Sequence, residues 1–388
     1  MSKVLFIPLN TNHVAIFHGI IRSLSCDYAV LCHDRISDSM RYHTEYILRN
    51  LEIDYHHFEK RISRSPDDNV ILKISKFVKM RRIIRDVLKH ISADVVVLAM
   101  DNDPIAQLVI EQCNDLGMKK VLVQEALIRP YEYTMRQTYL SDYAYNLLRL
   151  CRIYLNYSQY GTGGCDKILV GGVIARDILK SRGVSVDKIA VVGLPKYDEF
   201  FNKIRKIRPI NNEKKVYLFA ASTRVLDDAS SITFVKEMVQ STNKLQVYLI
   251  IKLHPRGPVE PSDVYKLIDC NDTPFVKITK EGDDTFSLLT KSDILIAVSS
   301  TVILEALMMD KECVVASYLA GESRLQYDEY DALHSIESQK DIYNAMKTAM
   351  MFKKSWDNKK RLLEDELYKL DGKAGERAAN LIECMISK

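Results

Sequence analysis

The stretch DVVVLAM at residues 94–100 is apolar at every position after its first residue. A strand with one face in water alternates apolar and polar side chains, whereas an unbroken apolar run of this length indicates a strand buried on both faces. Strands of that kind lie in parallel sheets that are covered by helices on both sides. The stretch therefore predicts an α/β fold built around a parallel sheet.

Similar short apolar runs alternate with helix-length amphipathic segments along the whole chain. In the first half we predict further strands at Lys3–Leu9, Asp27–Cys32, Lys119–Gln124, Asp166–Val170 and Lys188–Val192, and helices at 61–91, 103–116 and 173–182. In the second half we predict strands at Lys215–Ala221, Gln246–Leu253, Phe275–Thr279, Asp293–Val298 and Glu312–Ser317, and helices at 229–240, 261–270, 284–291 and 301–309. Beyond residue 338 we predict helices only. Two successive arrays of this type predict two doubly wound, Rossmann-like domains, at residues 1–200 and 201–368.

The composition is that of an ordinary folded protein, with 47% hydrophobic and 27% charged residues among 388. The net charge of +4 is small for a bulk nucleic-acid binder, so we expect no nucleic-acid partner. None of the eight cysteines forms a Cys-x-x-Cys pair, and residues 1–3 lead straight into a predicted strand rather than a secretory signal. No uncharged apolar stretch reaches transmembrane length, and we therefore expect a cytoplasmic protein.

Polar residues follow two of the predicted strands in the second half. One strand ends at His254-Pro255-Arg256, and another ends at Ser299-Ser300-Thr301, which opens a helix that contains Glu305. Hydroxyls and free N–H groups at a helix start can hold a phosphate, with the imidazole donating to a phosphoryl oxygen and the carboxylate accepting from ribose hydroxyls. The alternative is that the hydroxyls only cap the helix.

The motif KLHP at residues 252–255, followed by SDILIAVSSTVILEAL at 292–307, resembles the donor domain of GT-B glycosyltransferases. The resemblance is closest to bacterial surface-polysaccharide enzymes, namely CMP-sugar-dependent sialyl- and Kdo-transferases and CDP-glycerol glycerophosphotransferases. The segment 165–200 is similar to the end of the first domain in these proteins and in UDP-N-acetylglucosamine 2-epimerases. The segment LDGKAGERAANLI at 370–382 is similar to their last helix. The resemblance implies that a C-terminal helix, at 369–388, packs back on the N-terminal domain.

The resemblance also implies roles for individual residues in binding a nucleotide-sugar donor. His254 would contact the donor phosphate, Ser299, Ser300 and Thr301 would share that phosphate and the ribose, and Glu305 would take ribose hydroxyls. Lys252 belongs to the same motif and is expected to bind the donor. The loop Ser222-Thr223-Arg224, after the first strand of the second domain, adds phosphate contacts or is simply a polar loop.

The first domain is expected to bind the acceptor and to supply a general base, which is worth about a hundred- to ten-thousand-fold in rate. Three residues at predicted strand ends compete for this role: His13, Glu125 and Asp101. Glu125 lies in a segment without a compensating positive charge, so we expect its pKa to be raised. Asp103 precedes Pro104 and is expected to cap a helix instead.

The run Asp101-Asn102-Asp103 matches the Asp-x-Asp metal motif of another glycosyltransferase fold, but we favour a metal-independent reaction. We predict no metal site and no cofactor, because the nucleotide sugar is itself the substrate. Two segments are candidates for peripheral contact with the inner face of a membrane. Residues 73–90 form a basic amphipathic helix, and residues 131–160 are rich in tyrosine; each is alternatively an ordinary part of the domain surface.

These observations predict a glycosyltransferase that moves a sugar from a nucleotide donor, CMP-linked rather than UDP-linked, to a glycan or lipid-linked acceptor. Three alternatives stay open: a UDP-N-acetylglucosamine 2-epimerase-like isomerase, a non-catalytic glycan- or nucleotide-binding protein, and a CDP-glycerol glycerophosphotransferase. The last is weakened because the Trp-His-Gly signature of that family is replaced here by the sequence VQEAL at 123–127.

Overall fold

The computed structural model of the chain describes residues 2–32, 44–57, 69–130, 147–154, 158–207, 214–223, 225–255, 257–268, 275–280, 282–321 and 324–386. The chain divides into two compact units. Unit 1 comprises Met1–Asn202 together with Glu366–Lys388, and unit 2 comprises Lys203–Asp365.

Unit 1 is built on a parallel sheet. In chain order its strands are β1 (Lys3–Phe6), β2 (Asp27–Cys32), β3 (His56–His57), β4 (Val95–Leu98), β5 (Lys119–Val123), β6 (Lys167–Val170) and β7 (Ile189–Val191). Within the described ranges they form one seven-stranded sheet in the order β3-β2-β1-β4-β5-β6-β7. The helices of its first segment are α1 (Thr11–Ile21), α2 (Thr44–Asn50), α3 (Val70–Ile91), α4 (Pro104–Leu116) and α5 (Val173–Ser181). A further helix, α6 (Asp198–Ile204), begins in this segment and ends just beyond it.

The central position of β4 explains its unbroken apolar run, since all four of its side chains are buried. Val96 and Leu98 join a hydrophobic cluster with residues of α3 and α4 on one face of the sheet. Val95 and Val97 join a second cluster with residues of α1 on the other face. The sheet is therefore covered on both faces, as the sequence of this strand predicts.

Unit 2 repeats the scheme with a second parallel sheet. Its strands are β8 (Val216–Ala220), β9 (Tyr248–Lys252), β10 (Val276–Thr279), β11 (Ile294–Ala297), β12 (Glu312–Val315) and β13 (His334–Ser335). Their order is β10-β9-β8-β11-β12-β13, which makes six strands in the part of unit 2 that is described. The accompanying helices are α7 (Ala229–Leu245), α8 (Pro261–Ile268), α9 (Thr285–Lys291), α10 (Val302–Met308) and α11 (Ile342–Met351); α12 (Trp356–Leu367) crosses the boundary back into unit 1.

The last helix, α13 (Ala374–Ile386), returns to unit 1 and packs on α1. Ala378, Ala379 and Ile382 are fully buried in the cluster that also contains Phe17 of α1. The two helices approach closely at glycines, because a Cβ on Gly375 would lie only 2.2 Å from the carbonyl oxygen of Gly19. Asp198 fixes the start of α13 by accepting hydrogen bonds from the backbone N–H groups of Ala374 (3.0 Å) and Gly375 (2.7 Å).

We expect Gly375→Ala to destabilise the chain by about 1–3 kcal/mol, because the added methyl group must push two backbones apart. The direction of the change in stability is informative, because replacing glycine by alanine inside a helix otherwise stabilises the helix by about 1 kcal/mol. Urea unfolding of the variant and the parent protein measures the difference. An unchanged or increased stability would show that α1 and α13 are not in this close contact.

The fold class predicted from the sequence is confirmed: two Rossmann-like α/β units with a C-terminal helix that packs back on the first. The predicted strands match the observed ones to within a few residues. The two-residue strands β3 and β13 were not predicted, and neither were the helices α1, α2 and α6. Helix α1 buries Thr11, His13, Val14, Ile16, Phe17, Ile20 and Ile21. Its sequence consequently lacks the polar face that marks an amphipathic helix.

Among the described helices, none has the length and hydropathy that a bilayer crossing requires.

Candidate active-site residues

The loop that follows β1 places a buried histidine at the start of α1. The His13 side chain is fully buried, and its Nδ1 accepts a hydrogen bond from the backbone N–H of Leu9 at 3.1 Å. With Nδ1 accepting, the ring carries a proton on Nε2, which lies 2.9 Å from Oε2 of Glu125 and 2.8 Å from the side-chain nitrogen of Asn10. The backbone turn between β1 and α1 therefore sets the tautomer of His13 and aims an N–H group away from the helix start.

Glu125 receives that N–H group. It follows the end of β5, and its Oε2 lies 2.9 Å from Nε2 of His13. Its other oxygen accepts from the side-chain amides of Asn12 (3.3 Å) and Asn10 (3.4 Å), while Asn10 also caps α1 through its Oδ1. The Glu125 side chain is 16% exposed, whereas that of His13 is wholly enclosed. The structure thus brings together two of the three base candidates, and of this pair Glu125 is the one that reaches the surface.

The prediction of a raised pKa for Glu125 was wrong. Burial raises the pKa of this carboxyl, but the hydrogen bonds from His13, Asn12 and Asn10 outweigh burial and hold the pKa below its ordinary value. The sequence shows no positive charge nearby, and the stabilising groups are instead His13, which acts through its hydrogen bond and its electrostatic field, and the amides of Asn12 and Asn10, all brought in from the turn after β1 and the start of α1. Glu125 is therefore an ionised carboxylate at neutral pH.

Asp101, the third base candidate, has a different role in the structure. Its side chain is fully buried, and its two oxygens accept from the backbone N–H groups of Gly161 (2.9 Å) and Gly163 (2.7 Å). A carboxylate enclosed in this way anchors a loop and presents no oxygen to a substrate, which corrects the assignment of Asp101 as a base. Asp103 caps α4 as expected, accepting from the backbone N–H of Ile105 at 2.7 Å.

The donor-binding candidates of unit 2 follow three adjacent strands. The register pairs the last residue of β8, Ala220, with the last residues of β9 and β11, Lys252 and Ala297. The three strands therefore end level with one another. The segments that follow them start at the same edge of the sheet, and they carry Ser222 and Thr223, His254, and Ser299 to Thr301.

The loops after β8 and β9 touch one another beside His254. A Cβ on Gly257 would lie 3.5 Å from Cα of Thr223, and the backbone N–H of Gly257 donates to the His254 carbonyl at 2.9 Å. Lys252 donates from Nζ to the carbonyl of Lys280 at 2.5 Å. Lys280 in turn donates to the carbonyl of Gly257 at 3.0 Å and pairs with Glu260. Both lysines thus hold the loop that carries His254.

The sequence left two roles open for the hydroxyls before α10, helix capping and phosphate binding, and the structure shows residues suited to each. The Ser300 hydroxyl accepts from the backbone N–H of Val302 at 3.3 Å, which is a capping contact. Thr301 occupies the N-cap position, yet its side chain makes no capping hydrogen bond. Ser299, Ser300, Thr301 and Glu305 are all half-buried, so the segment is accessible to a ligand.

Some of the predicted residues lie outside the described part of the chain. These are Arg224, Arg256 and residues 131–146 and 155–157 of the tyrosine-rich segment. In the described ranges, no group of three or more His, Cys, Asp or Glu side chains is arranged to hold a metal ion. Sequence reasoning missed Asn10, Asn12 and Lys280. The first two were detectable in principle, because the turn reads Asn-Thr-Asn-His before a helix and asparagine is a strong helix cap.

The fold can be compared with those of known proteins. Solved structures match the fold over nearly the whole chain. They include the S. aureus MnaA–UDP co-structure (TM-score 0.66, 15% identity, 100% of this chain and 97% of that chain). They also include the UDP-GlcNAc 2-epimerase from Neisseria meningitidis bound to UDP-GlcNAc (TM-score 0.63, 15% identity, 100% of both chains). A glycosyltransferase from Rickettsia africae matches with a TM-score of 0.61 and 12% identity, over 100% of this chain and 99% of that chain.

A search of curated proteins gave no match. The family model for CDP-glycerol:poly(glycerophosphate) glycerophosphotransferase matches residues 157–384, which is more than half of the chain and includes all of unit 2. The match begins after the segment 123–127, where the Trp-His-Gly signature is missing. The fold shared with these solved structures and the family match together support the resemblance drawn from the KLHP and SST motifs. The chain is a transferase with the GT-B fold, and it belongs to the CDP-glycerol:poly(glycerophosphate) glycerophosphotransferase family.

Proposed function

We propose that the chain transfers an activated group from a cytidine nucleotide to a hydroxyl of a glycan or lipid-linked acceptor during surface polysaccharide synthesis, and that it releases CMP. The observation that carries the proposal is the hydrogen-bonded pair of His13 and Glu125. In this pair Glu125 is an ionised carboxylate, and it lies at the edge of the unit 1 sheet where the strands have their carboxyl ends. The family match supports a cytidine nucleotide as the donor.

Two donors fit this proposal, and both leave CMP behind. With a CMP-sugar, the acceptor oxygen attacks the anomeric carbon and the bond between that carbon and the phosphate oxygen breaks. With CDP-glycerol, the acceptor oxygen attacks the phosphorus that bears glycerol, and the bond to the bridging oxygen breaks. The absence of the Trp-His-Gly signature at residues 123–127 favours the first donor, while the family description favours the second.

The base is assigned to Glu125 in either reaction. Its carboxylate accepts the proton of the attacking hydroxyl, while the Nε2–H group of His13 and the amides of Asn10 and Asn12 hold the carboxylate in place. His13 is a positioning residue, because its ring is enclosed and its Nδ1 is occupied by the Leu9 N–H group.

Unit 2 is assigned to the leaving nucleotide. The electron pair of the broken bond ends on a phosphate oxygen of CMP, where negative charge develops. His254 and the hydroxyls of Ser299, Ser300 and Thr301 are proposed to donate to that phosphate, with Ser222 and Thr223 adding contacts from the neighbouring loop. Glu305 is proposed to accept from the ribose hydroxyls. This assignment uses side chains of the protein for charge stabilisation and calls for neither a metal nor another cofactor.

A nucleotide screen by thermal denaturation tests the donor. We expect CMP and CDP to raise the melting temperature, since a ligand at a hundred times its Kd stabilises the folded state by about 2.7 kcal/mol. Thr301→Val is expected to reduce the shift, because it removes a hydroxyl and keeps the shape of the side chain. A shift with UDP and none with CMP or CDP would contradict the proposal.

The second candidate function is isomerisation of a UDP-sugar. It is favoured by the full-length structural match to the Neisseria meningitidis UDP-GlcNAc 2-epimerase, whose structure holds UDP-GlcNAc. An isomerase needs no acceptor, so NMR of UDP-N-acetylglucosamine mixed with the protein alone distinguishes the two functions. Conversion of the sugar under those conditions would establish isomerisation in place of transfer.

We also propose that α3 contributes a contact with the inner face of a membrane. It exposes Ile71 (80%), Leu72 (42%) and Val78 (54%) beside a series of lysines and arginines. Basic amphipathic helices bind anionic bilayers through such a combination of side chains. The buried face of the same helix, with Phe77, Ile84 and Leu88, packs on the sheet of unit 1.

A further inference from the structure

The corner between α11 and α12 in unit 2 exposes three large apolar side chains. Met351 is 60% exposed, Phe352 63% and Trp356 42%, and we call these three residues the corner patch. Trp356 is the only tryptophan in the chain. Side chains of this size are usually buried, so three of them within six positions indicate a surface that meets an apolar medium.

Positive charge surrounds the corner patch. Between residues 347 and 361 the chain carries six basic residues, Lys347, Lys353, Lys354, Lys359, Lys360 and Arg361, against the single acid Asp357. Two of these lysines serve internal contacts, since Lys354 pairs with Asp331 and Lys359 is buried against Glu312. Lys347, Lys353 and Lys360 are exposed beside the patch.

Lys353 of the corner also acts electrostatically on Lys311, the residue before β12. Burial lowers the pKa of Lys311, and the charges of Lys215 and Lys353 lower it further, while Asp293 and Asp310 act in the opposite direction. Lys353 therefore lies within electrostatic reach of the residues at the start of β8 and β12. At this edge Asp293 pairs with Lys215 and Asp310 pairs with Lys359, so the exposed positive charge is concentrated at the corner itself.

The corner lies at the opposite edge of the unit 2 sheet from the donor-binding candidates. The backbone N–H of Lys354 donates to Glu312, the first residue of β12, at 3.0 Å. This contact fixes the corner at the amino end of that strand, whereas His254 and the hydroxyls follow the carboxyl ends of the strands. The proposed chemistry therefore makes no use of the corner patch.

We propose that the corner patch inserts into the interfacial layer of an anionic lipid bilayer. Tryptophan and other aromatic side chains favour the headgroup region, and methionine and phenylalanine extend the apolar contact. The exposed lysines match the negative surface potential of such a membrane. Pairing with a second copy of the chain through the same patch would instead set Lys347, Lys353 and Lys360 of both copies against each other, because a two-fold contact is self-complementary.

Trp356 gives the test a built-in reporter. The full-length protein is mixed with vesicles of phosphatidylglycerol and phosphatidylcholine, and in parallel with phosphatidylcholine alone, in the absence of nucleotide. We expect the tryptophan emission to shift to shorter wavelength and to be quenched by brominated lipid only with the anionic vesicles. The double variant Met351→Ser/Phe352→Ser keeps the reporter and is expected to bind about tenfold or more weakly.

The matched control is Val186→Ser, which removes an apolar side chain that is 55% exposed in unit 1, outside both α3 and the corner patch. We expect this variant to keep the blue shift and the quenching of Trp356. Vesicle binding without a change in Trp356 emission would overturn the proposal. A blue shift that grows with protein concentration in the absence of vesicles would also overturn it, since it would identify a second copy as the occupant. Neither result would bear on the donor proposal, because no nucleotide is present.

Discussion

Replacing Glu125 by glutamine is expected to lower kcat by about a hundred- to ten-thousand-fold while the affinity for the nucleotide stays unchanged. The substitution keeps the shape of the side chain and removes the carboxylate that accepts the acceptor proton. The hydrogen bond with His13, at 2.9 Å, connects a group that reaches solvent to one that is enclosed. Initial rates of CMP release with saturating donor and acceptor measure kcat, and the thermal shift with CMP measures donor binding.

The control for this substitution is Glu376→Gln, which changes an exposed carboxylate on α13 and is expected to leave the rate unaltered. Because the pKa of Glu125 lies below its ordinary value of 4.5, the acid limb of kcat/KM is expected below that pH in the parent protein. His13→Ala removes the main hydrogen bond that lowers this pKa, so the acid limb should move to higher pH. A Glu125→Gln variant with normal kcat would remove Glu125 from the mechanism.

Replacing Lys359 by methionine is expected to destabilise unit 2 by about 3–5 kcal/mol, because it leaves a buried carboxylate without its cation. Lys359 is fully buried on α12, and its Nζ lies 2.6 Å from Oε1 of Glu312 and 2.9 Å from Oδ1 of Asp310. The other oxygen of Glu312 lies 2.9 Å from Nε2 of His334. Urea unfolding followed by the fluorescence of Trp356, on the same helix, measures the loss.

The neighbouring substitution Lys360→Met is the matched control. Lys360 is exposed and lies 3.8 Å from Glu364, so its removal is expected to cost less than about 1 kcal/mol. The double variant Glu312→Gln/Lys359→Met should cost less than the sum of the two single changes, because each removes the partner that the other leaves unpaired. Equal losses at positions 359 and 360 would contradict a buried ion pair.

The same network predicts how stability depends on pH. Burial raises the pKa of Glu312, but the hydrogen bonds from His334, Lys359 and the Lys354 amide outweigh burial and lower the pKa to about 2. A carboxyl whose pKa is depressed in the folded state stabilises the protein above its unfolded value of 4.5, and this contribution disappears as the pH falls towards 2. The difference between the parent protein and Lys359→Met is therefore expected to be largest near neutral pH and to shrink below pH 4.5.

The sequence was sufficient for the architecture because buried parallel strands leave a direct signal. The run at 94–100 predicted a strand enclosed on both faces, and β4 is enclosed in that way. Edge strands of two residues leave almost no pattern, which is why β3 and β13 were not predicted. Helix α1 was missed for the opposite reason, since it is buried on too many sides to show a periodic polar face.

Side-chain roles were harder to predict than positions. The sequence placed His13, Glu125 and Asp101 at strand ends, but only the structure shows that the first two are hydrogen-bonded and that the third anchors the loop at Gly161 and Gly163. The pKa of Glu125 could not be obtained from the charges near it in sequence. Its stabilising groups come from a turn more than a hundred positions away, and neutral amides contribute as well as the imidazole.

A crystal structure of the full chain with CMP is the most direct test of where the leaving nucleotide binds. We expect a phosphate oxygen within hydrogen-bond distance of the Thr301 hydroxyl and the His254 ring, with the ribose hydroxyls at Glu305. CMP bound elsewhere on the protein, with residues 299–301 free of ligand, would contradict it.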